Sequence, residues 1–595
     1  MRKGLTIFLV VVIVGLLIIG TLLAKFIWFK PFSINHFFER AYIEFLWEDP
    51  EALSQTGALE PFWFSDYKSE LTDVSPSATR RLGEVGKANL ELLKEYDRSG
   101  LRPEEQVSYD VLEWFLKTGV EGEDFLFHDY PVTHISGPHV DLPRFMRSHP
   151  LDAKKDIENY IARLGAVDEK FGSLIDGLEE RRQLGIVAPT FILKKAMLYC
   201  NSMVADSGVY TSFYSRFEKH VSAISLLNPK AKQAYLDACA QQINESVLPA
   251  YKRLEGYLIQ LERSSLEIAG VWQLPKGDEY YAYCLKQNIG VNNSPDELYE
   301  IAKLEMSRIK DELQLLSELT GGEAFSNSTQ TFGKDELGRT ECLAFFVEHS
   351  NEINSHLDNY FSLQPSVKLT VLEVPERSSA NRPLAFYIPP REHSATEGKL
   401  YVNTWRAENL TQHLAKSYAY HEGIPGHHLQ KGIQADLKEL PTFRRFLPFE
   451  AYTEGWAMYA EQLGHEMTGT EDLFDRIGLL QSDLFRTARM MTDIGLHHKK
   501  WLREQAVDFM TENTTLTTDE AQEEVDRYIV WPGQGCSYKI GQLKFLELRE
   551  LAQIELREGF DLKEFHDVLL NQGAMPLEVL ETRVRAYIVR KKGES

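Results

Sequence analysis

"AYHEGIPGHHLQ", residues 419–430, opens like a zinc-binding helix and then departs from one. The usual pattern, H-E-x-x-H, sets two histidines one turn apart on one helical face, with the glutamate between them free to act as a base. His421 and Glu422 fit that pattern, but Pro425 stands where the second histidine belongs, and the next histidines are His427 and His428. On a straight helix His428 shares the face of His421 but lies about 10.5 Å along the axis, while His427 points roughly 120° away. A straight helix is not expected. Pro425 has no N–H to offer the carbonyl of His421 and its ring clashes with it. Gly423 and Gly426 tolerate the dihedrals of a looped-out turn. A bulge of two residues brings His427 into the vacant place, so His421 and His427 are the expected metal ligands, with His428 supporting them from behind; the reverse assignment, His428 as ligand with His427 behind it, is the alternative.

A third ligand is sought on a following helix. In "FEAYTEGWAMYAEQLG" (449–464), Glu450, Glu454 and Glu461 fall on one face. Glu454 lies among apolar and aromatic residues, where a lone carboxylate is costly. A salt bridge would relieve that cost, and so would a metal ion. The position 33 residues after His421 favours the ion, since two histidines and a later glutamate make a known zinc set. Glu450, one turn earlier, is expected beside the ligands. Glu422 is the expected general base.

Two further segments read as walls of the same site. "FRTARMMTDIGLHHKKW" (485–501) aligns Arg486, Arg489, Asp493 and His497 near one face; the plainer reading is an Arg489–Asp493 ion pair. "WPGQGCSYKIGQ" (531–542) places Tyr538 and Lys539 after a Gly- and Pro-rich turn. Tyr538 or His497 is expected to steady a developing oxyanion, a core tyrosine being the alternative for Tyr538. Arg486, Arg489 and Lys539 are expected to bind a substrate C-terminal carboxylate, which favours a carboxypeptidase-like exopeptidase if the chain is a peptidase.

Most of the chain reads as helix. Val247, Tyr251, Leu254, Leu258 and Leu261 form one stripe, and Ser294, Pro295 and Glu297 mark a capped helix start. Strand-like runs are confined to 367–374, 384–390 and 399–405, just before His421. A small antiparallel sheet is expected there, with Tyr401 and Asn403 aligning an extended substrate. The stretch 320–333 is the best linker, dividing a helical half (31–330) from a catalytic half (331–595).

Residues 5–24, "LTIFLVVVIVGLLIIGTLLA", are uncharged and mostly apolar, long enough for a transmembrane helix. With Arg2 and Lys3 before them and no small-residue cleavage site after, they read as a signal anchor (1–30), leaving a single-pass membrane protein whose large domain is extracytoplasmic. A net charge of −23 over 595 residues argues against a nucleic-acid partner. Five scattered cysteines suggest neither a disulfide framework nor a cysteine metal site.

The motifs "YHEGIPGHHLQ", "EAYTEGWAMYAE", "ARMMTDIGLHHKKW" and "PGQGCSYKIGQLK", with "DYPVTHISGPHVDLPRFM" (129–146), resemble the domain-of-unknown-function 885 family over roughly residues 35–590. One departure is "QNIGVNNSP" (287–295), at a place where that family more often carries His and Thr. The family is similar in arrangement to helical clamshell metallopeptidases such as carboxypeptidase Taq, thimet oligopeptidase and angiotensin-converting enzyme. The resemblance implies a mainly α clamshell with a deep active-site cleft, one Zn2+ on two histidines and a glutamate, and a peptide substrate. Within that reading, Arg486, Arg489 and Lys539 favour a carboxypeptidase-like exopeptidase. A catalytically inactive peptide-binding scaffold and a hydrolase of non-peptide amides or esters are the alternatives.

Overall fold

The computed structural model describes residues 9–15, 20–21, 25, 29–57, 66–205, 208–320, 331–379, 382–390, 397–469 and 472–594. It is mainly helical, with one small sheet. Of the stretch expected to cross a membrane, residues 9–15 and 20–21 are helical. No helix among the described residues is long and apolar enough to span a bilayer. The rest of that stretch lies outside the described residues, as does most of the 320–333 linker.

The elements that build the site follow the sheet in the chain. We number them α1 (Pro295–Leu319), β1 (Lys368–Glu373), β2 (Ala385–Ile388), β3 (Glu397–Val402), α2 (Gln412–Glu422), α3 (His427–Asp436), α4 (Glu450–Thr468), α5 (Leu473–His497), α6 (Thr518–Val530) and α7 (Gln534–Leu556). The capped start of α1 forms as its sequence dictates: Ser294 Oγ accepts the N–H of Glu297, and the Glu297 carboxylate accepts the N–H of Ser294. The main core contains buried side chains from Ile34 to Ile588, drawn from both of the expected halves.

The sheet is mixed, not antiparallel. Its order is β1-β3-β2, with β3 parallel to β1 (Leu369 opposite Gly398) and antiparallel to β2 (Phe386 opposite Tyr401). The reason is burial. Leu400 and Val402 of β3 are fully covered and join Ala385, Phe346, Leu410 and Ala415 in a small core beneath the sheet. The most buried strand takes the centre, and β1 and β2 become the edges. A substrate strand therefore cannot pair with 399–402, because both of its sides are already bonded. Asn403 is structural as well: it is buried, and its amide donates to the carbonyls of Ser379 and Arg382. Tyr401 stacks on Phe386, with ring centroids 5.2 Å apart.

Helices α4 and α7 pack at backbone contact. A Cβ on Gly541 would lie 2.0 Å from the carbonyl oxygen of Ala451 and 2.6 Å from the Cα of Gly455. Two facing glycines, Gly455 and Gly541, permit this approach.

Candidate metal centre

The break at Pro425 is resolved by a loop of four residues. Helix α2 ends at Glu422, α3 begins at His427, and Gly423 to Gly426 bridge them through a cis Ile424–Pro425 peptide. The N–H of Gly426 donates to the carbonyl of Tyr420 at 2.9 Å, spanning six residues where a regular helix spans four. The register skips two residues, so His427 occupies the position a straight helix would give to residue 425. Only glycine fits at 426, since a Cβ there would fall 2.0 Å from the His421 carbonyl oxygen. Trp456 of α4 fixes the loop by donating its indole N–H to the carbonyl of Pro425 at 3.0 Å.

This geometry brings together His421, His427 and Glu454, one nitrogen or oxygen atom of each lying within 4.8 Å of the others. Nε2 of His421 stands 3.4 Å, and Nε2 of His427 3.5 Å, from Oε2 of Glu454. Ligand atoms bonded to one tetrahedral zinc at about 2.0–2.1 Å lie about 3.3–3.4 Å apart. The spacing therefore matches the edge of that tetrahedron, and it is long for a hydrogen bond. Both histidines are buried and Glu454 nearly so. His428 lies apart: its Nδ1 is 3.1 Å from the Tyr387 hydroxyl, on the sheet side.

The three groups of the triad perturb one another strongly. Burial disfavours the charged form of His421, but Glu454 and Glu461 outweigh it and push its pKa up to about 9. His427, depressed by burial and by Lys431, falls to about 3. Burial alone would raise Glu454, yet the facing imidazoles of His427 and His421 hold its carboxyl well below the usual range. The carboxylates of Glu454 and Glu461 thus both favour positive charge at His421. The donor set of two imidazoles and a carboxylate suits zinc.

Glu461 is the member that sequence reading passed over. It is fully buried, and its Oε1 accepts from Nδ1 of His421 at 2.8 Å. This aims Nε2 of His421 at Glu454, the carboxylate–histidine arrangement found behind metal ligands. Its signal was present, because Glu461 lies two turns after Glu454 on the same face. Glu422 lies beside the triad. Its Oε2 accepts the backbone N–H of Tyr387 in β2 at 2.9 Å, and burial, reinforced by Glu454, pushes its pKa up to about 7. Glu450 sits one turn before Glu454 and is pushed upward by burial and by that neighbour.

The expected wall residues separate into two groups. The ring of Tyr538 lies over the Arg489 guanidinium at 4.2 Å, and Arg486 lies over Tyr418 at 5.4 Å. The other three are engaged elsewhere. His497 is fully buried, with Nδ1 accepting from the N–H of Val271 and Nε2 donating to the carbonyl of Tyr528, which leaves nothing to meet an oxyanion. Lys539 is 1% exposed and neutralised by Asp483 at 2.6 Å and Glu305 at 2.9 Å, so it is not free for a substrate carboxylate. Asp493 accepts from the Tyr281 hydroxyl and from the N–H groups of Gly533 and Gly535, holding the turn before α7 instead of pairing with Arg489.

No curated protein matches the chain. Among solved structures it is similar to a "putative lipoprotein" from Colwellia psychrerythraea, at 27% identity and a TM-score of 0.86 over 93% of this chain and 99% of that one. It is also similar to a "putative lipoprotein of unknown function" from Shewanella oneidensis, at 17% identity and a TM-score of 0.70 over 92% and 99%; this second likeness speaks for the fold alone. The family model described as "Bacterial protein of unknown function (DUF885)" matches residues 50–584, and the chain belongs to that family.

Proposed function

We propose that this protein is a zinc-dependent metallopeptidase. The observation that carries the reading is the triad itself: two imidazole nitrogens stand at tetrahedral-edge distance from one carboxylate oxygen, with a second buried carboxylate alongside. His421, His427 and Glu454 would hold the ion, and Glu461 would keep the His421 ring turned toward it. A zinc ion so held supplies a lowered water pKa and a polarised carbonyl. Glu422 takes the proton at its carboxylate and returns it to the leaving amine. The Tyr387 N–H holds Oε2 of Glu422 in place and leaves Oε1 for that proton. Strand β2, an edge strand whose backbone already meets Glu422, is the natural place for an extended peptide to align.

The kind of protein named among its structural relatives, with the apolar N-terminal stretch, supports a membrane-tethered domain outside the cytoplasm. Metal analysis of the protein lacking residues 1–30 and peptide hydrolysis by wild type and Glu422→Gln test the proposal together. One zinc per chain is expected in both proteins, with turnover reduced about 10²–10⁴-fold in the variant. Full activity in Glu422→Gln removes this residue from the mechanism. Peptide binding without zinc or turnover would instead make the protein a scaffold.

A further inference from the structure

Helix α5 carries two arginines one turn apart, Arg486 and Arg489, that are 4% and 3% exposed. Both guanidinium groups lie within 5.5 Å of the Phe485 ring centroid, so two like charges are buried side by side. Nε of Arg486 and both Nε and Nη2 of Arg489 have no hydrogen-bond partner among the described residues. Leaving buried charged donors unpaired is costly, and proteins seldom do it without a use for the group.

The identity of the unpaired atoms is informative. Nε and Nη2 form the side-on edge of a guanidinium, the edge that grips a carboxylate with two parallel bonds. This chain uses that edge repeatedly: Arg98 on Asp110, Arg182 on Glu179 and Arg503 on Asp526 each bind through Nε and Nη2. In Arg489 the same edge is open. The nearest carboxylate among the described residues, Glu524, forms an ion pair with Nε at 3.7 Å, too far for a hydrogen bond, and accepts the Tyr528 hydroxyl at 2.7 Å. Glu524 retains 26% side-chain exposure, so the carboxylate beside the buried Arg489 borders solvent. The rings of Tyr528 and Tyr538 flank Arg489, and fix its plane. On the other side, Glu461 couples Arg486 electrostatically to the His421 end of the triad.

We propose that Arg489, supported by Arg486, is a subsite for the free C-terminal carboxylate of a peptide. This rests on the peptidase reading and narrows it to cleavage near a chain terminus. Lys539, which sequence reading grouped with these arginines, takes no part, since two carboxylates already neutralise it.

The test uses a pool of N-acetylated tetrapeptides of randomised sequence, prepared with free or with amidated C-termini. Hydrolysis is measured with wild type, and retention of the peptides with zinc-loaded Glu422→Gln protein. Wild type is expected to favour the free acids at least 10-fold in kcat/KM, and Glu422→Gln to retain them selectively. Arg489→Met, at unchanged zinc content, is expected to lose that preference to within 2-fold. Arg489→Lys, which keeps the charge but not the two-pronged edge, is expected to lose most of it. Equal treatment of acid and amide by wild type, as when Arg489 serves only Glu524, overturns the subsite. So does a preference that survives Arg489→Met, which would place the carboxylate on the metal itself. Acid-selective retention with no hydrolysis by wild type would leave the subsite standing and refute the peptidase reading instead.

Discussion

Glu461→Gln isolates the charge behind His421. The wild-type carboxylate is fully buried and accepts from Nδ1 of His421 at 2.8 Å. Glutamine has the same size and keeps one acceptor oxygen, so no cavity forms and the ring keeps a partner. What is lost is the negative charge that makes the imidazole a better donor at Nε2. A hydrogen bond to a charged group contributes roughly 1.5–3 kcal/mol, and each 1.4 kcal/mol is tenfold in affinity. The expected weakening of zinc binding is therefore about 10–100-fold, which agrees with the usual effect of removing such an outer partner. The assay is a chelator-competition titration of zinc at fixed pH on wild type and variant, with circular dichroism confirming equal helix content. Zinc affinity within twofold of wild type, in a folded variant, would refute the idea that Glu461 orients and activates His421.

Other substitutions probe other parts of the design. His427→Ala is expected to abolish stoichiometric zinc while His428→Ala retains it, since only His427 converges with His421 and Glu454; the opposite result in metal analysis would reverse the register drawn for residues 423–426. Asp475→Asn leaves Lys416, 6% exposed, without its 2.5 Å carboxylate partner, and should cost about 3 kcal/mol in chemical denaturation at neutral pH. Burial tends to raise the Asp475 carboxyl, but His413 and Lys416 bring it down to about 2. Because that value is depressed, the stabilisation is present above the ordinary carboxylate pKa and is lost as pH falls toward 2. The gap between wild type and Asp475→Asn should shrink over that interval, and a gap independent of pH would exclude the ion pair as its source. Gly541→Ala drives a methyl into the Ala451 carbonyl at 2.0 Å, backbone against backbone, so α4 and α7 must separate. A loss of about 1–3 kcal/mol is expected, together with weaker zinc binding because Glu454 moves with α4, and a variant matching wild type in both would show the crossing to be loose.

How far the site was legible in the sequence follows from how far apart its parts lie along the chain. The proline and glycines that broke the zinc pattern also specified the repair. Pro425 forbids the helix, Gly423 and Gly426 allow the loop, and the six-residue bond from Gly426 to Tyr420 is the two-residue skip needed to present His427. Glu454 was legible for a different local reason, the cost of a carboxylate in an aromatic and apolar run. The wall residues had no such local logic. Lys539 reads as a free cation until Glu305, from a helix far earlier in the chain, is seen against it, and His497 reads as a site histidine until Val271 and Tyr528 close on its two nitrogens. The sheet failed in the same way. Three neighbouring strands suggest a meander, and only the covering of Leu400 and Val402 from below places β3 in the middle. That reordering leaves 399–402 bonded on both sides and puts β2, whose Tyr387 N–H reaches Glu422, at the edge. Residues chosen by local strain or desolvation could be named in advance, whereas those whose role is a partner's choice could be named only once the partner was in place. Arg489 belongs to neither group: among the described residues its Nε and Nη2 have no hydrogen-bond partner, which is why a ligand from outside is the partner to look for.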